Sequence, residues 1–61
     1  MTKGFWKHAR FMDAYILVLK ITYRGSQYLK VKAEWWVRGA FVGIKQTLTI
    51  RNSDLKNWHR V

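Results

Sequence analysis

The sequence predicts an all-β domain: an antiparallel three-stranded meander closed into a small barrel and finished by a short C-terminal helical turn. Three observations predict it. Apolar and polar residues alternate with period two through residues 13–24 and again through 28–38, the pattern of strands with one buried face. Glycine-containing breaks, Gly25-Ser26-Gln27 and Gly39-Ala40, separate the alternating runs at hairpin spacing. The 61 residues contain no proline, internal repeat, low-complexity tract or linker, so residues 1–61 are read as one small basic domain.

Residues 1–12, MTKGFWKHARFM, carry the weakest pattern. Phe5, Trp6, Ala9 and Met12 suit one side of a short helix, whereas Ala9 and Phe11 suit an extension of the strand that follows; irregular structure leading into that strand is expected. In the next run Tyr15, Leu17, Leu19, Ile21 and Tyr23 fall on one side, and Ala14, Ile16, Val18, Lys20, Thr22 and Arg24 on the other. In YLKVKAEWWVR, Leu29, Val31, Ala33, Trp35 and Val37 alternate with Tyr28, Lys30, Lys32, Glu34, Trp36 and Arg38. A two-residue loop between these runs opposes Leu17 to Glu34 and Leu19 to Lys32. A three-residue loop instead pairs Arg24 with Tyr28, Ile21 with Val31, Leu19 with Ala33 and Leu17 with Trp35. Because a one-residue slip turns over a whole strand, the odd loop is expected.

A type II′ turn at Gly39-Ala40 then sets Val37 opposite Val42, Trp35 opposite Ile44, Val31 opposite Leu48 and Leu29 opposite Ile50, with Glu34 meeting Lys45 and Trp36 covering Gly43. The tail NSDLKNWHRV opens on helix-capping residues and spaces Leu55 and Trp58 three apart, a single helical or 3₁₀ turn against an open sheet edge. A fourth short strand from either terminus completes the barrel.

Hydrophobic residues make up 49% of the chain and aromatics 16%, which argues against disorder. A chain this short hides only about 60% of its unfolded surface, so stability is marginal unless packing is very good or subunits associate. A homodimer through an edge strand is one such association. Without cysteine there is neither a disulfide nor a thiolate metal site, which fits a reducing compartment. The longest apolar run, Ala14 to Leu19, is far below the roughly 20 residues that cross a bilayer, and the basic amino end lacks a signal-peptide cleavage pattern. A cytoplasmic protein with no membrane span is expected. Twelve Lys and Arg against three acids give a net charge of +9, a surface that seeks polyanions: nucleic acid, an acidic protein or an anionic membrane.

The same register builds an outer face in two halves. Near the first hairpin gather Lys20, Arg24, Tyr28, Lys30, Lys32 and Arg51, with Thr22, Thr47 and Thr49 between them. Lys20 falls opposite Lys32, a like-charge pair that costs about a few tenths of a kcal/mol in a bare sheet and that a bound phosphate relieves. Near the second hairpin lie Ile16, Val18, Trp36, Phe41 and the aliphatic stem of Arg38. Cations that follow a backbone, beside flat side chains that stack on bases, are what single-stranded nucleic acid requires. Phosphate contacts supply most of the affinity and little sequence choice. The expected function is therefore largely sequence-independent binding of DNA or RNA through Lys20, Arg24, Tyr28, Lys30, Lys32, Trp36 and Arg51. Two other uses of the apolar half stay open: Phe5, Trp6 and Phe11 covering it as a second small core, or a protein-interaction patch of Ile16, Trp36, Arg38 and Phe41 docking on an acidic surface of a partner.

His8 and His59 lie near opposite ends with no carboxylate cluster, so no metal is expected. Glu34 is expected to pair with Lys45, and Asp54 to cap the final turn. With no paired carboxylates, no nucleophile beside a base and no glycine-rich phosphate loop, neither an enzyme nor a cofactor is expected.

The run EWWVRGAFVGI followed by SDLKNWHRV resembles SH3-like small β-barrels, in which a tryptophan pair opens a strand, a glycine turn follows, and a short 3₁₀ turn with an aromatic precedes the last strand. The resemblance covers about half of the chain. The acidic loop and the proline of peptide-binding SH3 domains are missing, which argues against proline-rich ligands. In charge the chain is closer to KOW- and Tudor-like relatives, many of them basic nucleic-acid or ribosome binders. A short basic chain ending in a D-L-x-N-W turn, Asp54 to Trp58, is also similar to uncharacterised small proteins of bacteriophages; for the protein-interaction alternative, that likeness implies docking on host machinery.

Overall fold

The alternation of residues 28–37 becomes the middle of the sheet. In the computed structural model, which describes residues 1–61, the chain is all-β. Its strands are β1 (Gly4–His8), β2 (Ala14–Arg24), β3 (Tyr28–Val37), β4 (Ala40–Arg51) and β5 (Trp58–Arg60), and a 3₁₀ turn over Asn52–Asn57 joins β4 to β5. All five form one antiparallel sheet in the order β4-β3-β2-β1-β5. The sheet has five strands rather than three and is open, with β4 and β5 as its edges. The expected barrel closure is absent because β5 has only three residues and pairs them with β1. The 3₁₀ turn lends Leu55 to the core at the open side, and Trp58 follows it there.

Ile16, Val18, Leu29, Val31, Ala33, Ile50 and Trp58 form the core, with Trp6, Phe11, Ile21, Trp35 and Leu48 packed against it. Each fully hidden Ile or Val among them contributes about 1.5–3 kcal/mol. Ile16 and Val18 were expected outside and lie wholly inside, because β2 carries two bulges. Its register runs Ile16↔Trp35, Leu17↔Glu34 and Val18↔Ala33, shifts to Lys20↔Lys32 and Ile21↔Val31, and shifts again to Tyr23↔Lys30 and Arg24↔Leu29. Leu19 and Thr22 are the extra residues, and each turns the rest of the strand over. The expected pairs Arg24–Tyr28 and Leu17–Trp35 therefore do not form. A strand of constant parity would strand Ile16 and Val18 in water and press the hydroxyls of Tyr15 and Tyr23 into the core. The first bulge lets buried Ile16 and Val18 share a face with partly buried Ile21, the second turns Tyr23 out, and Thr22 Oγ1 donates to the Lys30 carbonyl at 3.2 Å beside it.

At the first hairpin the Gly25 N–H donates to the Tyr28 carbonyl, closing a turn on Ser26-Gln27. Asn52 clamps that turn, its N–H on the Gln27 carbonyl at 2.9 Å and its Nδ2 on the Gly25 carbonyl at 3.1 Å. Between β3 and β4 the expected register holds from Tyr28↔Arg51 to Glu34↔Lys45 and then breaks. The turn residues are Arg38 and Gly39, with φ of 53° and 81°, the type I′ pattern that matches strand twist, rather than Gly39-Ala40 in type II′. Arg38 is held in this conformation by Asp13, whose carbonyl accepts its N–H at 2.9 Å and whose carboxylate lies 3.5 Å from its Nε. Val37 pairs with Ala40 and Trp36 with Phe41, so Val42, Gly43 and Ile44 together oppose Trp35. Gly43, at φ 82°, supplies the left-handed step of this bulge. Consequently Val37, Val42 and Ile44 are exposed instead of buried, and Trp36 does not cover Gly43.

The amino end is a strand, not an irregular lead-in. Phe5↔Leu17 and Trp6↔Ile16 join β1 to β2, while Lys7↔His59 and His8↔Trp58 join it to β5. Asp54 ties these pieces together rather than capping the turn. Its carboxylate accepts from Asn57 Nδ2 at 2.7 Å, His8 Nε2 at 3.0 Å and Trp58 Nε1 at 3.3 Å. The Arg10 N–H donates to His8 Nδ1 at 3.1 Å, which leaves the ring proton on Nε2, facing Asp54. The Asn57 bond first, and His8 second, hold the Asp54 carboxyl below its ordinary value.

Candidate nucleic-acid interface

Cross-strand neighbours share a face, so the register of β2, β3 and β4 orders the outer surface into rows. One row is Lys20, Lys32 and Thr47; the next is Tyr23, Lys30 and Thr49; Tyr28 and Arg51 end the series at the first hairpin. In the other direction come Leu17, Glu34 and Lys45, then Tyr15, Trp36 and Phe41. Five of the seven residues expected to contact nucleic acid, Lys20, Tyr28, Lys30, Lys32 and Arg51, thus form one contiguous patch. All four cations in it are exposed.

None of those four is paired with a carboxylate. The three acids of the chain are engaged elsewhere: Glu34 with Lys45 at 3.6 Å, as expected from the sequence, Asp13 with Arg38, and Asp54 with His8. The repulsion between Lys20 and Lys32 consequently has no internal counter-charge.

Arg24 is not part of the patch. The second bulge sets it opposite buried Leu29, on the other face, where its Nη2 donates to the Met1 carbonyl at 2.9 Å. Trp36 is on the outer face but is not an open stacking surface. It is half-buried, edge to face with Phe5 at 5.4 Å and 5.9 Å from Phe41, and its Nε1 is buried without a hydrogen-bond partner. Phe5 also meets Tyr15 edge to face at 5.6 Å. This end of the face is a second small apolar cluster, built by Phe5; Trp6 and Phe11 pack against the main core instead. Of the alternative protein-contact residues, Ile16 is 0% exposed and can touch no partner. Arg38 sits in the turn, paired with Asp13, and Phe41 is 46% exposed.

Tyr23 is the residue that alternation misses. Expected in the core, it is 48% exposed, and its ring lies 5.4 Å from that of Tyr28 at a tilt of 34°. The available signal was its chemistry: a hydroxyl-bearing side chain at a strand end, next to Arg24, is a poor core residue.

Between β4 and the 3₁₀ turn an open cleft of about 530 Å³ is lined by His8, Phe11, Trp35, Leu48, Asp54 and Trp58, among others. No three His, Asp or Glu side chains come together as metal ligands. No helix is long and apolar enough to cross a membrane. The chain matches no protein-family model, no curated protein and no solved structure.

Proposed function

We propose that the outer face of β2, β3 and β4 binds nucleic acid, with Lys20, Lys30, Lys32 and Arg51 on phosphates and with little sequence preference. The carrying observation is a set of four exposed, co-facial cations without a carboxylate partner, in a chain of net charge +9. Phosphates supply the missing counter-charge and relieve the Lys20–Lys32 contact. The role is binding rather than catalysis. A salt series of gel shifts tests it. Four phosphate contacts on a single strand imply a log–log salt slope near about −3, an approximately fiftyfold loss of affinity between about 50 and 200 mM salt. Failure to shift DNA or RNA at low salt removes the proposal.

A second reading is favoured by β4, a sheet edge along which Phe41, Val42 and Ile44 are all exposed. Such an edge suits an added strand from an acidic protein partner, or from a second copy of the chain. It predicts that Phe41→Ala weakens capture of that partner more than reversal of Lys30 and Lys32 does. We also read the fold as an open relative of SH3-like barrels of the KOW and Tudor kind. The 3₁₀ turn that precedes a short last strand supports that relation.

A further inference from the structure

The two tyrosines at the hairpin end of the basic patch bear on which polyanion it takes. Tyr23 shares a row with Lys30, and Tyr28 shares the next with Arg51. The Tyr23 ring lies over Gly25: a Cβ at Gly25 would stand 2.7 Å from Tyr23 Cε2 and Oη, closer than packed atoms come. Gly25 has no positive φ, so a side chain there is opposed by the Tyr23 ring, which would have to shift, and not by the backbone. The turn beneath is held by both Asn52 hydrogen bonds. A shallow groove flanks each side of the ring pair. One, along the free edge of β2, is bordered by Lys3, Lys20 and Thr22. The other is bordered by Gln27, Thr49, Arg51 and Ser53. Neither groove contains a carboxylate.

Cations and hydroxyls thus lie on both sides of an aromatic pair in which Tyr23 is exposed and Tyr28 half-buried. A duplex offers protein only the edges of its bases, whereas a single strand offers their faces. Resting on the nucleic-acid reading above, we infer that Tyr23 and Tyr28 form a base-stacking platform and that the ligand is single-stranded. Its phosphates run between the Lys3–Lys20 groove and the Arg51 groove, and Gly25 is a positioning residue that lets the Tyr23 ring lie in place.

Fluorescence anisotropy with three probes tests this: an oligothymidylate of about 12 nucleotides, its duplex with oligoadenylate, and an abasic strand of equal length and charge. The oligothymidylate is expected to bind about tenfold or more tighter than the abasic strand. Tyr23→Ala and Tyr28→Ala each reduce that preference by about fivefold or more, and Tyr23→Phe retains it. Gly25→Ala reduces it as Tyr23→Ala does. Equal affinity for all three probes, lost together in Lys30→Glu/Lys32→Glu, overturns the platform and keeps the phosphate-binding face. Preference for the duplex also overturns the platform. No binding of any probe at low salt overturns both.

Discussion

At one end of the outer face aromatic rings touch one another; at the other, cations touch nothing of opposite charge. The difference follows from how far β1 reaches. Its last pair with β2 is Gly4↔Val18, so Phe5 covers Tyr15 and Trp36, and β2 beyond Val18 has no strand partner on that side. A sheet with only seven apolar residues fully in its core gains from a second cluster wherever an aromatic can be delivered. Where none is delivered, the surface carries lysine, arginine and tyrosine. On the nucleic-acid reading proposed above, stability and binding fall to opposite ends of the same three strands.

Substitutions at each end can break that division. The largest effect is expected from Lys30→Glu/Lys32→Glu, which removes two of the four proposed phosphate contacts and adds repulsion. Affinity for oligonucleotides falls by about a hundredfold or more and the salt slope roughly halves, while the melting temperature holds. A large loss of stability in this variant would erase the distinction. At the aromatic end, Trp36→Ala is expected to destabilise the fold by about 2–4 kcal/mol, somewhat below a fully buried aromatic, and to leave the salt slope of the folded protein intact. Thermal melting reads the first quantity and anisotropy the second. Trp36→Phe, which keeps a ring and deletes the unpaired N–H, costs less than about 1.5 kcal/mol by the same melt. Phe41→Ala, at a half-exposed position, costs about 1 kcal/mol.

Asp54 sharpens the comparison from outside both ends. Its folded pKa lies below the unfolded value of 3.8, so the stability it contributes is present above that value and is lost as pH falls through the folded one. Melting temperature is therefore expected to drop with acidification below about pH 4, and Asp54→Asn to flatten that limb. An unchanged acid limb in the variant would remove Asp54 as the tie between β1 and the 3₁₀ turn.

Much of this arrangement was legible in the residues, for reasons that differ by element. The β3–β4 register was readable because Leu29, Val31, Glu34 and their partners all vote for one parity. Lys20, Lys30, Lys32, Tyr28 and Arg51 share one face, as alternation places them, because, between its two bulges, β2 runs in the register that alternation gives, Lys20 against Lys32. The bulges were not readable: Leu19 and Thr22 are ordinary strand residues, and nothing in them marks an extra position. That gap moved Ile16 and Val18 inside, sent Arg24 to the other face and brought Tyr23 out. β1 was obscure because five residues give little periodicity and because one partner, β5, lies some fifty positions away in sequence. The type I′ turn was missed because arginine is a poor residue for positive φ, and its bonds to Asp13 help to keep it there.

The unpaired border of β4 has a practical corollary for handling the protein. Phe41, Val42 and Ile44 along it would favour clumping were it not for mutual repulsion between highly charged molecules. Colloidal stability should therefore decline as salt shortens the reach of that repulsion, about 10 Å at 0.1 M, and should be poorest near pH 10.6, where the net charge vanishes.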